Sequence, residues 1–281
     1  MYTYLKMHVN LIICDNWADM FLDIAYQFEH WCNSRNISTS VIPVQQSTDE
    51  KDTVNVLFGT HYIQNIAHIK PNSILTDWDN ISLVHKHFLP EFFQKYTIWS
   101  YSRKTVNYLK GLYPERPIFY FKMGYVPRFD FSHKFPSSFV FDVCFLGNHS
   151  ERRIKIFEAL HKAGLRCGFI NQNLWGEQRS MLYMHSKVVM SFYTNQDTFE
   201  YCLGSRVWPA VSTKAFIVSE TSLSEDVNTE YADISVIVPY EKLVETVCYY
   251  VSHDEEREAL RNKFYEKSKN SVCDIEGFSL S

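Results

Sequence analysis

The first half of the chain alternates short apolar runs with longer amphipathic stretches. Apolar runs of about four to eight residues predict strands that are buried on both faces of a sheet. Stretches with apolar residues at helical spacing predict the helices between them. The predicted strands are 8–14, 37–44, 54–59, 72–77, 97–102 and 117–124, and the predicted helices are 17–34, 84–95 and 103–111.

The second half repeats this alternation. Proline and polar residues gather at 127–138, which we interpret as a linker between the halves. The C-terminal residues 271–281 give no pattern that assigns them to either half. The predicted strands are 140–146, 165–171, 186–193, 214–220 and 234–240, and the predicted helices are 151–163, 200–212, 241–253 and 254–270.

Strands that alternate with helices predict parallel sheets covered on both faces. The fold class is therefore α/β, with two Rossmann-like, doubly wound parallel-sheet domains and a cleft between them. The predicted boundaries are 1–135 and 136–281. Sheets of this kind bind ligands at the carboxyl ends of their strands, and clefts between domains are common ligand sites.

Composition and charge narrow the function. The 281 residues are 46% hydrophobic and 16% aromatic, as in compact proteins without long disorder. The net charge of −4 argues against a globally basic nucleic-acid binder. The charge is uneven, with ten Lys or Arg against four acids over 101–155 and eleven acids against two basic residues over 220–260. An anion-binding middle region fits this asymmetry, as do solvated helix faces.

The seven cysteines contain no C-x-x-C pair, and Cys14, Cys144 and Cys248 lie in apolar runs. This pattern favours buried free thiols in a reducing compartment over a disulfide framework or a zinc site. The first residues do not form a signal peptide, and the apolar run 11–14 is too short to span a bilayer. The sequence therefore predicts a cytoplasmic protein without a transmembrane segment.

One strand-to-helix junction contains a charge conflict. The predicted strand 140–146 runs into Gly147, which permits a sharp turn, and Ser150 is a good N-cap for the following helix. Arg152 and Arg153 then place positive charge where the helix dipole is already positive. An anion such as phosphate would resolve the conflict. The alternative is that both arginines are solvated or paired with Glu151.

Five segments carry a resemblance to a known family. They lie in the order WSYSRKTVN (99–107), KMGYVP (122–127), FLGNHSERR (145–153), the run 174–193 and the run 199–220. Together they resemble glycosyltransferases of the GT-B fold, in particular the bacterial and viral group related to CgeB-type and group 1 enzymes. The chain differs from these relatives at Ser212-Thr213-Lys214, where they have a glycine, and at Arg206-Val207-Trp208, near the position of a second glutamate.

The resemblance implies that the C-terminal domain binds a nucleotide-diphosphate sugar and the N-terminal domain binds most of the acceptor. Arg206 would neutralise phosphate charge as the leaving group departs, in place of a metal ion. Glu220 would accept hydrogen bonds from ribose or sugar hydroxyls. Simple packing is the alternative role for Tyr193. The implied donor residues are Gly147, Asn148, Arg152, Arg153, Tyr193, Glu200, Arg206, Ser219 and Glu220.

An acceptor hydroxyl needs a general base if the reaction inverts the anomeric centre. Asp79 follows a predicted buried strand and aligns with a glutamate of the relatives, so it is the candidate base, and Asp15 is the second candidate. The alternative role for Asp79 is a turn and helix cap. A retaining enzyme would need no such base, so the stereochemistry stays open.

Metal independence is expected. His85 and His87 point to different helix faces, and the D-x-D pattern Asp77-Trp78-Asp79 lies in the wrong half for a donor-bound metal.

The sequence thus predicts a hexosyl- or pentosyltransferase whose co-substrate is a nucleotide-diphosphate sugar and which uses no other cofactor. Its acceptor would be a glycan, a small molecule, a protein or a modified base in DNA. The alternatives are a phage-type DNA-base glycosyltransferase that acts on hydroxylated bases, a non-catalytic nucleotide-sugar-binding module, and a nucleotide-sugar epimerase.

Overall fold

The computed structural model divides the chain into two compact units. Unit 1 comprises Met1–Met123 and Cys273–Ser281, and unit 2 comprises Gly124–Val272. The predicted residues Asp15, Asp79 and Glu200 lie outside the residues that the structure describes. Those residues are 7–13, 18–43, 46–50, 52–59, 69–77, 94–171, 174–194 and 204–278.

Six parallel strands form the body of the unit 1 sheet. Their spatial order is β2-β1-β3-β4-β5-β6, so the chain first adds a strand on one side of β1 and then continues on the other side. The strands are β1 (His8–Ile13), β2 (Ser38–Pro43), β3 (Thr53–Phe58), β4 (Ser73–Asp77), β5 (Thr97–Ser100) and β6 (Ile118–Lys122), and the helices are α1 (Ala18–Asn33) and α2 (Arg103–Leu112).

Helix α1 packs an aromatic face against this sheet. Phe21, Phe28 and Trp31 are buried and lie on one side of the helix because their spacing follows the helical period. The Phe28 ring lies 4.8 Å from the ring of Trp99 on β5, between centroids. Burial of these large rings is the main favourable contribution to the stability of this layer.

Five parallel strands form the sheet of unit 2, in the spatial order β11-β10-β9-β7-β8. Two short 3₁₀ turns, Pro127–Phe129 and Ser132–Lys134, occupy the predicted linker. The strands are β7 (Phe141–Leu146), β8 (Cys167–Ile170), β9 (Ser186–Ser191), β10 (Ile217–Glu220) and β11 (Val236–Val238). The helices are α3 (Glu151–Lys162), α4 (Gly176–Met184), α5 (Gly204–Ser212), α6 (Glu225–Tyr231), α7 (Leu243–Ser252) and α8 (Asp254–Ser268).

The C-terminal segment belongs to unit 1. Strand β12 (Asp274–Ile275) pairs antiparallel with β6 and completes a seven-stranded sheet. Asp274 accepts a hydrogen bond from Arg35, Glu276 forms a two-pronged ion pair with Arg103, and the Phe278 ring packs 4.9 Å from that of Trp99. The division therefore differs from the boundary predicted at 135/136: unit 2 begins at Gly124, and the chain returns to unit 1 at Cys273.

Every predicted strand is present, with ends shifted by a few residues. Among the described residues, two α-helices and one strand were not predicted, each for a physical reason. Helix α4 buries Arg179 and Ser180 beside its apolar residues, which hides the helical period. Helix α6 is seven residues long and buries only Tyr231, and β12 has two residues, too few for a pattern.

The described cysteines are free thiols, as expected. Cys144 lies inside β7, and burial raises the pKa of its thiol to about 12. None of the helices in the described part of the chain is long and apolar enough to cross a membrane.

Candidate functional site

The predicted donor residues that the structure describes gather at one edge of the unit 2 sheet. Strands β8 and β9 lie on opposite sides of β7, so the strand order reverses between β7 and β9. In open α/β sheets this reversal point, at the carboxyl ends of the strands, is where ligands bind. Gly147 follows β7, Phe192 follows β9, and Glu220 is the last residue of β10.

Gly147 permits a close approach that a larger residue would prevent. Its φ is +154°, and an added Cβ would lie 2.9 Å from Phe145 Cε1 and 3.4 Å from Arg206 Nη2. After the turn, Ser150 caps helix α3 by accepting from the main-chain N–H of Arg153 at 3.4 Å. The hydroxyl of Ser150 donates to the main-chain oxygen of Thr194 at 2.9 Å. The Ser150 side chain therefore links the N-terminus of α3 to the main chain after β9.

Arg153 is buried inside this turn. It shares the inner face of α3 with Ile156, Phe157 and Leu160, at helical spacing. Its Nη2 donates to the Phe192 main-chain oxygen at 2.9 Å, and its Nη1 donates to the main-chain and side-chain oxygens of Asn148. Burial, with repulsion from Arg206 and Arg152, lowers the pKa of Arg153 to about 9, so the guanidinium stays charged at neutral pH. Arg153 thus stabilises the loop that carries Asn148.

Arg152 reaches across to the end of β10. Its two Nη atoms bind both carboxylate oxygens of Glu220, with Nη1 at 2.8 Å from Oε2, and Nη1 also donates to the Tyr193 main-chain oxygen at 3.1 Å. The Tyr193 main-chain N–H donates to the same Oε2 at 3.0 Å. The buried Glu220 carboxylate therefore joins α3 to the residues after β9.

The alternative that both arginines are solvated or paired with Glu151 is wrong. Glu151 pairs with Lys155, one helical turn along, at 2.7 Å. Arg153 points inward because of its helical phase, and Arg152 finds a buried carboxylate at the strand end.

Arg206 differs from the other two arginines in its contacts. It lies on α5, half-buried, and its Nη1 donates to the Phe192 main-chain oxygen at 3.3 Å. Its Cζ lies 5.2 Å from the centroid of the Phe145 ring. No carboxylate among the described residues pairs with it, and burial lowers its pKa. Arg206 therefore has hydrogen-bond donors that the described protein groups do not use.

The charge balance at this edge favours an anion. Three guanidinium groups accompany one buried carboxylate, Glu220, which gives the cluster a net charge of about +2, and the N-terminus of α3 adds further positive potential. We call the residues Arg152, Arg153, Arg206 and Glu220 the arginine cluster. Guanidinium donors with a helix N-terminus bind phosphate groups well.

The remaining predicted site residues are the donor residues Ser219, Tyr193 and Glu200 and the candidate base Asp79. Ser219 is buried, and its hydroxyl donates to the Ser191 main-chain oxygen at 3.2 Å. The Tyr193 side chain is also buried, 3% exposed, which agrees with a packing role. Asp79 and Glu200 lie outside the described residues. In the sequence, Asp79 comes two residues after the end of β4. The donor and acceptor roles of all four stay predictions.

Two aromatic residues at the arginine cluster were not predicted. The Phe145 ring contacts both Arg153 and Arg206, whose Cζ atoms lie 4.6 and 5.2 Å from its centroid. Tyr240 follows β11, and Arg152 Cζ lies 3.6 Å from the centroid of its ring. The signal in the sequence for Tyr240 was an aromatic residue just after a strand of this sheet, whereas Phe145 is the second-last residue of β7 and has the apolar character of any buried strand residue.

No protein-family model matches the chain. A stretch of 114 residues, 40% of the chain, is 28% identical to an uncharacterized protein of Acanthamoeba polyphaga mimivirus, and it spans only 37% of that protein.

Solved structures of glycosyltransferases share the fold across nearly the whole chain. One is an alpha-glucosyltransferase in complex with UDP and a 13-mer DNA, with a TM-score of 0.63, 10% identity, and coverage of 92% of this chain and 94% of that chain. Another is Anabaena HepE with UDP and glucose, with a TM-score of 0.59, 9% identity, and coverage of 94% and 96%. A third is T4 phage beta-glucosyltransferase with UDP-glucose, with a TM-score of 0.57, 10% identity, and coverage of 94% of each chain.

At these identities the similarity concerns the fold. The chain has the α/β fold of GT-B glycosyltransferases, with two parallel-sheet units, which confirms the predicted fold class.

Proposed function

We propose that the protein is a glycosyltransferase that moves a sugar from a nucleotide-diphosphate donor to an acceptor hydroxyl. The observation that carries the proposal is Arg206, a half-buried cation without a carboxylate partner among the described residues. It lies beside the Gly147 turn at the strand-order reversal of a GT-B sheet. The CgeB-like assignment from the sequence motifs is part of this proposal.

The arginine cluster suits the departure of a nucleoside diphosphate. Cleavage of the bond between the sugar and the phosphate leaves charge on the diphosphate oxygens, and guanidinium donors stabilise that charge without a metal ion. Arg206 is the residue with donors open for this contact, whereas Arg152 and Arg153 hold the surrounding main chain. We propose UDP as the nucleotide, because similar structures bind UDP or UDP-glucose.

Acceptor activation is proposed from the sequence. Asp79 would take the proton of the acceptor hydroxyl in an inverting reaction, and Asp15 is the second candidate. Asp79→Asn would then lower kcat strongly and leave the Kd for UDP unchanged, because a base acts on the acceptor and not on the diphosphate.

A second candidate function is glucosylation of hydroxylated bases in DNA. It is favoured by the similar alpha-glucosyltransferase structure, which contains UDP and DNA, and by the excess of basic residues over 101–155. Binding to duplex DNA through phosphates would weaken steeply as salt rises. Transfer of labelled sugar to duplex DNA with hydroxymethylated cytosines, and not to unmodified duplex, is the expected result for this acceptor.

The test of the proposed function begins with calorimetric titration of UDP, GDP, ADP and CMP, followed by their sugar conjugates. We expect one diphosphate to bind and its sugar conjugate to release nucleotide when a suitable acceptor is present. A protein that binds the sugar conjugate but transfers its sugar to none of the glycan, small-molecule and DNA acceptors would be a binding module. Release of an isomerised nucleotide sugar without an acceptor would indicate the epimerase. A folded protein that binds none of these nucleotides would contradict the proposal.

A further inference from the structure

The guanidinium of Arg152 is covered on one face by the ring of Tyr240. Arg152 Cζ lies 3.6 Å from the ring centroid, well within the range of a cation–π contact. The Tyr240 hydroxyl also donates to the main-chain oxygen of Arg152 at 2.8 Å. One side chain thus contacts Arg152 at its charged end and at its backbone in the first turn of α3.

The edge of the same guanidinium is held by other groups. Glu220 binds both Nη atoms, and the Tyr193 main-chain oxygen accepts from Nη1. The hydrogen bonds fix the Nη atoms of Arg152, and the Tyr240 ring lies against the central Cζ atom. An arginine held in this way loses little further conformational freedom when an anion binds beside it.

We propose that Tyr240 is a positioning residue of the arginine cluster: it holds Arg152 against Glu220 and the Tyr193 main-chain oxygen, and so keeps the cluster in place for the diphosphate that Arg206 contacts. This inference rests on the proposed function for the identity of the anion. Tyr240 lies half-buried at the start of a 3₁₀ turn after β11. A residue that only packed there would affect stability and would not affect phosphate binding selectively.

The test compares Tyr240→Leu, which keeps apolar bulk but removes the ring, with Tyr240→Phe, which keeps the ring. Tyr249→Leu is the matched control, because this exposed tyrosine stacks on His253 at 3.9 Å instead of on an arginine. Each protein is titrated with inorganic pyrophosphate and with UDP, and its Tm is measured. We expect Tyr240→Leu to weaken both ligands roughly 3- to 30-fold, the range for a desolvated cation–π contact. Tyr240→Phe is expected to recover most of this loss, and Tyr249→Leu to bind as the wild type.

Unchanged binding in Tyr240→Leu would overturn the proposal, as would an equal loss in Tyr249→Leu. A loss in Tyr240→Phe as large as in Tyr240→Leu would also overturn it, because the stacked ring would then contribute nothing.

A double-mutant cycle keeps the test independent of a stability effect. If Tyr240 acts through Arg152, then Tyr240→Leu weakens pyrophosphate binding in the wild-type background and has no effect in an Arg152→Met background. Equal effects in both backgrounds would refute the positioning role.

Pyrophosphate also separates the two proposals. Pyrophosphate binding that depends on Tyr240, without binding of any nucleotide, would refute the proposed function and support this inference. Failure of the folded wild type to bind either ligand would refute both.

Discussion

Replacement of Arg206 by alanine is expected to remove most of the affinity for the donor nucleotide. The other two arginines of the cluster already bind protein acceptors, namely Glu220 and the Phe192 and Asn148 oxygens. Arg206 donates to a single main-chain oxygen, at 3.3 Å, and has no carboxylate partner among the described residues. A phosphate that binds at this edge would therefore depend on Arg206 more than on its neighbours.

The magnitude follows from one charge-assisted contact. A hydrogen bond to a charged group contributes about 1.5–3 kcal/mol, which corresponds to a Kd about 10- to 150-fold higher in the variant. Arg206→Lys keeps the charge but loses the planar fork of donors, so we expect an intermediate Kd. Because Arg206 packs against Phe145, the Tm of each variant shows whether the fold has been retained.

The assay is calorimetric titration with UDP at fixed ionic strength. Arg166→Ala is the matched control: Arg166 is an exposed arginine that immediately precedes β8 and pairs with Asp142 at 2.9 Å. Its removal changes the net charge of the protein by the same amount, but at the amino ends of the strands and not at the carboxyl ends, where the arginine cluster lies. A folded Arg206→Ala protein that binds UDP within twofold of the wild type would refute the reasoning. An equal loss in Arg166→Ala would show that only the overall charge matters.

Three further predictions concern stability and chemistry. Glu276→Gln is expected to lower the free energy of unfolding by at most about 1 kcal/mol at pH 7, because its pair with Arg103 is partly exposed. Arg103 lowers the pKa of Glu276 below 4.5, so urea denaturation should show the difference from wild type disappearing as the pH falls below 4.5. Lys214→Gly should raise the free energy of unfolding by about 1 kcal/mol, because φ is +63° at this position and glycine adopts such a φ more readily than lysine. Gly164→Ala should lower the free energy of unfolding by a similar amount, because φ is +82° there, although no atom lies within 4 Å of an added Cβ. Finally, EDTA should leave sugar transfer unchanged, and loss of activity that added Mg²⁺ or Mn²⁺ restores would contradict metal independence.

The position of Lys214 explains one difference from the relatives that the sequence resembles. They have a glycine in this segment, and the backbone here adopts the left-handed conformation that glycine favours. The conformation persists because Lys214 follows the end of α5, where its main-chain N–H donates to the Val211 oxygen at 2.9 Å. Lys214 therefore adopts a conformation that a glycine would adopt more readily.

Much of the fold could be predicted because buried parallel strands have an apolar signature that does not depend on distant residues. The Gly147 turn, the Ser150 cap and the strand-end position of Glu220 were found in the same way, from neighbours along the chain. The return of β12 to β6 could not be predicted, because it depends on partners such as Arg103 that are far away in sequence. Tyr240 was missed for the same reason, since its contact with Arg152 joins residues 88 positions apart.

The two adjacent arginines show how far local reasoning extends. As a pair next to a helix N-terminus they indicate an anion site, and neither one is distinguished from the other. Helical phase separates them: Arg153 shares the inner face with Ile156 and is buried, whereas Arg152 points to Glu220 at the end of β10. Burial of an arginine is costly unless its donors are paired, and the two Nη groups of Arg153 bind the Asn148 and Phe192 oxygens.

Arg153 and Arg206 share one acceptor, the main-chain oxygen of Phe192, and this sharing explains how Arg206 can serve an incoming anion. The Phe192 oxygen already accepts from Arg153 at 2.9 Å when Arg206 approaches it at 3.3 Å, so Arg206 gains only a weak contact from the protein. The Phe145 ring contacts both guanidinium groups and keeps Arg206 in place without neutralising it. A cation that is positioned by packing, and not by a carboxylate, loses no ion pair when an anion arrives. This arrangement would favour an incoming diphosphate and supports the proposal that Arg206, and not Arg152 or Arg153, makes the leaving-group contact.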